Sequence, residues 1–228
     1  MCLSVEFDIV AGAAISVVAI DAIRHHRTGR ELPLALVPAV LAVHTFLSAV
    51  VWLGVDGTVS EPMAHAASVL YLFIAYALLP IYVPIAVLLI APPDWHRNAV
   101  LVMCAVGAIP ALGYGYALMQ GQGTASPDSY YIAFGMQGTA GVLGVLYVVS
   151  TCGALLLSGS APLIAWGVVN AVAVSALVAW NSLGLPALWC LWAAVTSGFA
   201  AWCLRKERPQ QIETDWVEEA LRPRGLRP

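Results

Sequence analysis

The sequence predicts an all-α polytopic membrane protein of seven transmembrane helices, and three observations predict it. Hydrophobic residues make up 61% of the 228 positions and charged residues only 10%, whereas a soluble domain needs about 25% charge to cover its surface. The few charges are clustered, which leaves apolar runs long enough to cross about 30 Å of hydrocarbon as helices. The Lys and Arg residues fall in three places only.

The first run, Val5–Ile23, has Glu6 and Asp8 where a cleavable signal would carry basic residues, and no small-residue cleavage site follows. It is therefore expected to remain as an anchor. The second, Pro33–Leu53, is apolar except for His44. The third, Met63–Ile90, is longer than a straight crossing requires; Pro80 and Pro84 should kink it, and tilt can absorb the excess. The fourth and fifth, Ala99–Met119 and Gly138–Leu157, carry Gly107, Gly113, Gly138, Gly141 and Gly144 at spacings that let helix backbones approach closely. Pro162–Trp180 and Leu185–Leu204 complete the set. Residues 1–204 thus form one transmembrane domain and 205–228 a polar tail, within which "DWVEEAL" could lie on the membrane surface as a short helix.

Charge sets the orientation. Arg24, Arg27 and Arg30 follow the first span, Arg97 the third, and the rest, from Arg205 to Arg227, the seventh. With seven spans all ten cations share one side, which the positive-inside rule makes cytoplasmic, with the N-terminus outside. A bacterial plasma membrane is the expected location. The five cysteines form no Cys-x-x-Cys pair, so neither a disulfide framework nor a zinc site is indicated. No basic stripe suggests nucleic acid. Membrane lipid is the expected surrounding, and association of copies is left open.

Ionisable groups inside spans are costly and need a partner or a role. Asp21 lies one turn from Arg24, and a paired charge at the membrane edge accounts for it. His44 sits nine residues before the end of its span, about 13 Å below the outer edge. A neutral ring donating to a neighbouring carbonyl would explain it; so would a site, if partners stand at the same depth. The candidates are Glu6 and Asp8 on the first span, Glu61 and His65 on the third, and Asn181 after the sixth. Acids without cationic neighbours, when partly buried, hold their protons more tightly, and a proton-donating outer pocket is then reasonable. Haem would need two facing histidines, and His65 lies about 10 Å shallower than His44. No metal or other cofactor is assigned. Trp52, Trp180 and Trp189 fall near span ends, where interfacial belts place them. Tyr71, Tyr76 and Trp192 lie deeper and could line a cavity, embracing a flat apolar ligand or stabilising a cation. Packing alone would also explain them.

The opening "MCLS", the stretch "HTFLSAVVW" and the pair of prolines in "LLPIYVPIAVLLIAP" resemble a family of small actinobacterial multi-pass membrane proteins. Its members begin Met-Cys-Phe-Ser and carry His-Gln-x-x-Glu in the second span. Cys2, Ser4, His44, Trp52, Pro80 and Pro84 match; Thr45 and Ser48 stand where that family has Gln and Glu. The resemblance places the fold better than the function, and it implies that if His44 belongs to a site, its acid has moved. A looser resemblance, of size and span count, is to the small membrane-bound terpene cyclases of meroterpenoid biosynthesis.

Three functions follow as expectations. The first is a cyclase acting on a prenylated lipophilic small molecule by acid–base chemistry. Glu6, Asp8 or Glu61 would be the acid, His44 would orient it or take the final proton, and Trp52, Tyr71, Tyr76, Trp180, Asn181, Trp189 and Trp192 would shape the cavity. The second is a proton-coupled transporter or ligand-binding protein using the same polar groups. The third is a structural subunit in which they only join helices.

Overall fold

A computed structural model describes residues 4–127, 131–137, 141–180, 192 and 194–206. It is mostly helical. The order is α1 (Val5–His25), α2 (Leu32–Val55), α3 (Glu61–Ile90), α4 (Trp95–Met119), a hairpin of β1 (Gly123–Pro127) and β2 (Ile132–Met136), then α5 (Gly141–Leu156), α6 (Ala161–Trp180) and α7 (Gly198–Lys206). Trp192 is also helical. Asn181, Trp189 and the tail segment "DWVEEAL" lie outside the described residues.

Among the described residues three helices, α2, α3 and α4, are long and apolar enough to cross a bilayer, fewer than the seven spans expected. In α1, Glu6, Asp8, Asp21 and Arg24 interrupt the apolar run. The 16 residues of α5 rise only about 24 Å, and in α6 only Ala161–Leu177 counts as an apolar stretch. Part of the seventh expected span, Leu185–Leu204, lies outside the described residues. The hairpin is a second departure from the all-α expectation. Its strands are five residues each, and their Gly, Ser and Pro content reads as a connection between spans.

Local chemistry explains the helix ends. Ser4 caps α1, its hydroxyl accepting from the Phe7 N–H at 3.2 Å. Pro33 occupies the first turn of α2 and Pro62 that of α3, where a missing N–H costs nothing. Asp94 caps α4 by accepting from the His96 N–H at 2.8 Å. That helix stops at Gly121, whose φ of 71° is favourable only for glycine. There the Gln122 N–H reaches the Ala117 carbonyl at 3.0 Å and the Gly121 N–H reaches Leu118 at 2.9 Å. This closing pattern satisfies the last carbonyls without water.

The prolines of α3 act as expected, with an addition. Pro80 has no N–H to give Tyr76, and the helix widens to π geometry over Phe73–Leu78, the Leu79 N–H bonding back five residues to Ile74. Pro84 likewise leaves the Pro80 carbonyl without its intrahelical donor. The Ser150 hydroxyl on α5 lies 3.2 Å from that carbonyl, and 2.8 Å from Tyr147's. Gly107 on α4 makes room for the contact: a Cβ there would stand 2.0 Å from the Pro80 oxygen.

Two packed clusters result. The larger joins α1 to α7 through Ile15, Leu34, Leu41, Leu79, Val100, Leu155, Leu163, Trp166 and Leu204. The smaller joins the last turns of α2, the first half of α3 and the hairpin through Val51, Tyr71, Leu72, Ile132 and Phe134. At the opposite end, α7 closes on α1. The Arg205 Nε donates to Asp21 Oδ2 at 3.0 Å and Nη2 donates to Oδ1, with His25 3.5 Å away. The partner expected for Asp21 was Arg24, its neighbour in sequence; the forked geometry of a guanidinium from another helix takes the contact instead.

Candidate functional site

The interior stripe of α2 defines the site. Val37, Leu41, His44 and Ser48 are all buried, and their spacing puts them on one helix face. Thr45 beside them is also buried and donates to the Leu41 carbonyl at 2.8 Å. His44, only 2% exposed, therefore faces the bundle and not the surrounding medium.

Its ring is the first of three in a stack. His44 lies on Tyr71 with centroids 3.7 Å apart and planes 27° off parallel, and Tyr71 lies on Phe134 of β2 at 3.7 Å and 18°. Phe134 is a residue that sequence reasoning missed. It sits in a stretch read as a connection, and only the hairpin register, Phe134 opposite Ala125, brings it over Tyr71. Tyr76 turns elsewhere, towards Tyr114 of α4, with centroids 4.9 Å apart and planes at 59°.

The three candidate acids separate. Glu6 and Glu61 are exposed, whereas Asp8 is fully buried at 0%. Gly12 of α1 abuts the Phe46 ring of α2, which fixes the register of this antiparallel pair. Asp8 then stands level with Ser48–Val50, about 9 Å of helix rise from His44 towards the C-terminal end of α2. Ser48, also 0% exposed, occupies the height between them. His65 is exposed and does not join this group.

The remaining candidates are scattered. Trp52 is half-buried near the end of α2, its indole nitrogen enclosed by protein with no hydrogen-bond acceptor. Trp180 ends α6. Trp192 is half-buried, and its carbonyl accepts from the Thr196 hydroxyl at 3.0 Å. Among the described residues no three His, Cys, Asp or Glu side chains are grouped to hold a metal ion.

Below His44, one to two turns along the same stripe, lies a cavity of about 50 Å³. Val37, Leu41, Leu79, Val83, Leu155 and Trp166 line it, together with Thr151, Cys152 and Asn170. The Asn170 amide nitrogen donates to the Trp166 carbonyl at 2.8 Å, so the polar groups of this wall are largely engaged with their own helices. The cavity is apolar and suits part of a hydrocarbon chain.

No curated protein and no solved structure matches the chain. One family model does, over residues 1–214. A buried imidazole and carboxyl within a helical bundle are thus what this chain presents, and by that match it belongs to a family of unknown function (DUF6629).

Proposed function

We propose that the protein is a seven-span enzyme of the bacterial plasma membrane, N-terminus outside, that cyclises a prenyl chain on a lipophilic small molecule by proton-initiated chemistry. The observation that carries this reading is the burial of Asp8 beside the Ser48–His44 stripe, while Glu6 and Glu61 are exposed. Protonating an alkene needs an undissociated, poorly hydrated carboxyl, and Asp8 is the candidate placed for that. In the proposed step the Asp8 proton adds to a terminal alkene carbon. The π electrons of a second alkene close the ring on the resulting cation. A neighbouring C–H bond then yields its proton to His44 and its electron pair to a new double bond. The proton returns to Asp8 past Ser48, and the product is an isomer of the substrate. The cavity beyond His44 would take the chain end, with side chains moving to admit more of it.

Membranes containing the protein, incubated with farnesylated indole or quinone, should yield a product of unchanged mass and new retention. Asp8→Asn should lower that rate at least about 100-fold, as removal of a general acid does, while Glu6→Gln and Glu61→Gln keep it. No product from any such substrate, or full activity in Asp8→Asn, would overturn the reading.

A second reading, proton-coupled transport or ligand binding, draws on one observation: the stripe Val37–Leu41–His44–Ser48 faces the interior from the cavity to the level of Asp8. Uptake into liposomes driven by a pH gradient separates the two, because a cyclase moves nothing.

A further inference from the structure

The outer part of the bundle is not built like the rest. In α4, Gly107 lies against Pro80, Tyr114 against Tyr76, and Gly123 just beyond its end against Leu72. Met119, the last residue of α4, is therefore level with Tyr71–Phe73 of α3. From there α3 continues outward to Glu61 for about ten residues, or about 15 Å. The other flanking helix also stops low. Gly113 abuts Leu143 and Gly153 abuts Met103, so Gly141, where α5 begins, is level with Gly115. Through the layer that α2 and α3 cross as apolar helices, the described residues between α4 and α5 form the paired strands β1 and β2.

A two-stranded hairpin has two open edges, on which alternate N–H and C=O groups find no strand partner. In hydrocarbon each such group costs several kcal/mol, and non-helical backbone at membrane depth is tolerated only against protein or water. The hairpin's two faces show which applies where. Partners across the ladder share a face: Gly123, Ala125 and Pro127 with Met136, Phe134 and Ile132 on one side, Thr124 and Ser126 with Gly135 and Ala133 on the other. The first face packs into the smaller cluster, with Ile132 at 0% and Phe134 at 3% exposure. The second is polar or small, and lipid is a poor match for it.

We propose that this second face looks into a water-filled vestibule open on the N-terminal side, and that Phe134 is the stopper separating that water from the Tyr71–His44 stack. The vestibule admits water-soluble reagents to the hairpin. Displacing the Phe134 ring brings them to within one ring of His44. The inference is independent of whether the site performs cyclisation.

The test uses full-length protein in sealed vesicles, with single cysteines introduced after the five native ones are replaced. Maleimides react with thiolate, so only a hydrated cysteine is labelled quickly. A membrane-impermeant maleimide added on the N-terminal side should label Thr124→Cys at least about 100-fold faster than Val69→Cys, which is exposed on α3 at a similar depth and faces lipid. Equal, slow labelling of both would overturn the vestibule. Diethyl pyrocarbonate, followed by mass spectrometry of the His44 peptide, reads the stopper. His44 should be protected in the native chain and react about tenfold faster in Phe134→Ala, with exposed His65 reacting equally in both. Phe134→Leu serves if the alanine variant does not fold. An unchanged His44 rate in the folded variant would overturn the stopper.

Discussion

Replacing Gly107 by alanine tests how α3, α4 and α5 are joined. The new Cβ would stand 2.0 Å from the Pro80 oxygen, 3.0 Å from its carbonyl carbon and 3.2 Å from the Ser150 Cβ. The first separation is well over 1 Å inside contact distance, and the obstacle is backbone, so α4 must move away. That movement overpacks the interface, at about 1–3 kcal/mol. The methyl also crowds Ser150, and displacing its hydroxyl leaves the Pro80 carbonyl without that donor; a buried acceptor so left costs about 1–3 kcal/mol. Against this, alanine in a helix interior gains about 1 kcal/mol over glycine. The net is about 3 kcal/mol, which for a chain of this size lowers Tm by about 6–12 °C. Thermal unfolding of purified protein in detergent, followed by tryptophan fluorescence, measures it. Gly115→Ala is the control: its Cβ would meet only the Ala77 Cβ, at 3.9 Å, so stability should hold or rise slightly. A Gly107→Ala protein that melts within about 2 °C of the native one would refute the reasoning, because the backbone clash would then have cost nothing.

Other outcomes follow from the same structure. Tyr71→Ala, which removes a ring only 1% exposed between two others, should cost about 3–5 kcal/mol in unfolding measurements. Tyr71→Phe keeps the stack and should cost less than about 1.5 kcal/mol. Asp21→Arg should lower Tm, and Arg205→Asp in the same chain should restore most of the loss, since the pair joins α1 to α7. Asp94, outside the spans, is pushed up by desolvation but held below the ordinary carboxylate range by the His96 backbone and ring. A lowered folded pKa gives stability that is present above the unfolded carboxylate value, about 3.9, and lost as pH falls through the folded one. Asp94→Asn should therefore narrow its Tm deficit against the native chain below about pH 4, as read from melts across that range.

Composition, charge clustering and hydrophobic runs were enough to show a mostly helical chain, because burying apolar surface is a local, additive property of a segment; of the seven expected spans, three are long and apolar enough to cross a bilayer among the described residues. The C-terminal ends of α4 and α6, the distortion at Pro80 and the isolation of His44 on an apolar helix were all legible one residue at a time. Partners were not. Asp21 pairs with Arg205, 184 positions away, though Arg24 stands closer in sequence. Asp8 and Glu6 read alike in sequence, yet one is enclosed and the other exposed, since two positions along a helix turn the side chain to a different face. Phe134 gained its place over Tyr71 only when two five-residue strands paired. Such short strands hold little propensity of their own, and their stability comes from the surface they pack against. The sequence alone therefore determined that the chain is mostly helical and which groups within its apolar runs need an explanation. The tertiary structure decided which of those groups meet, because helix register and face, set by packing between distant segments, are written in no single stretch of chain.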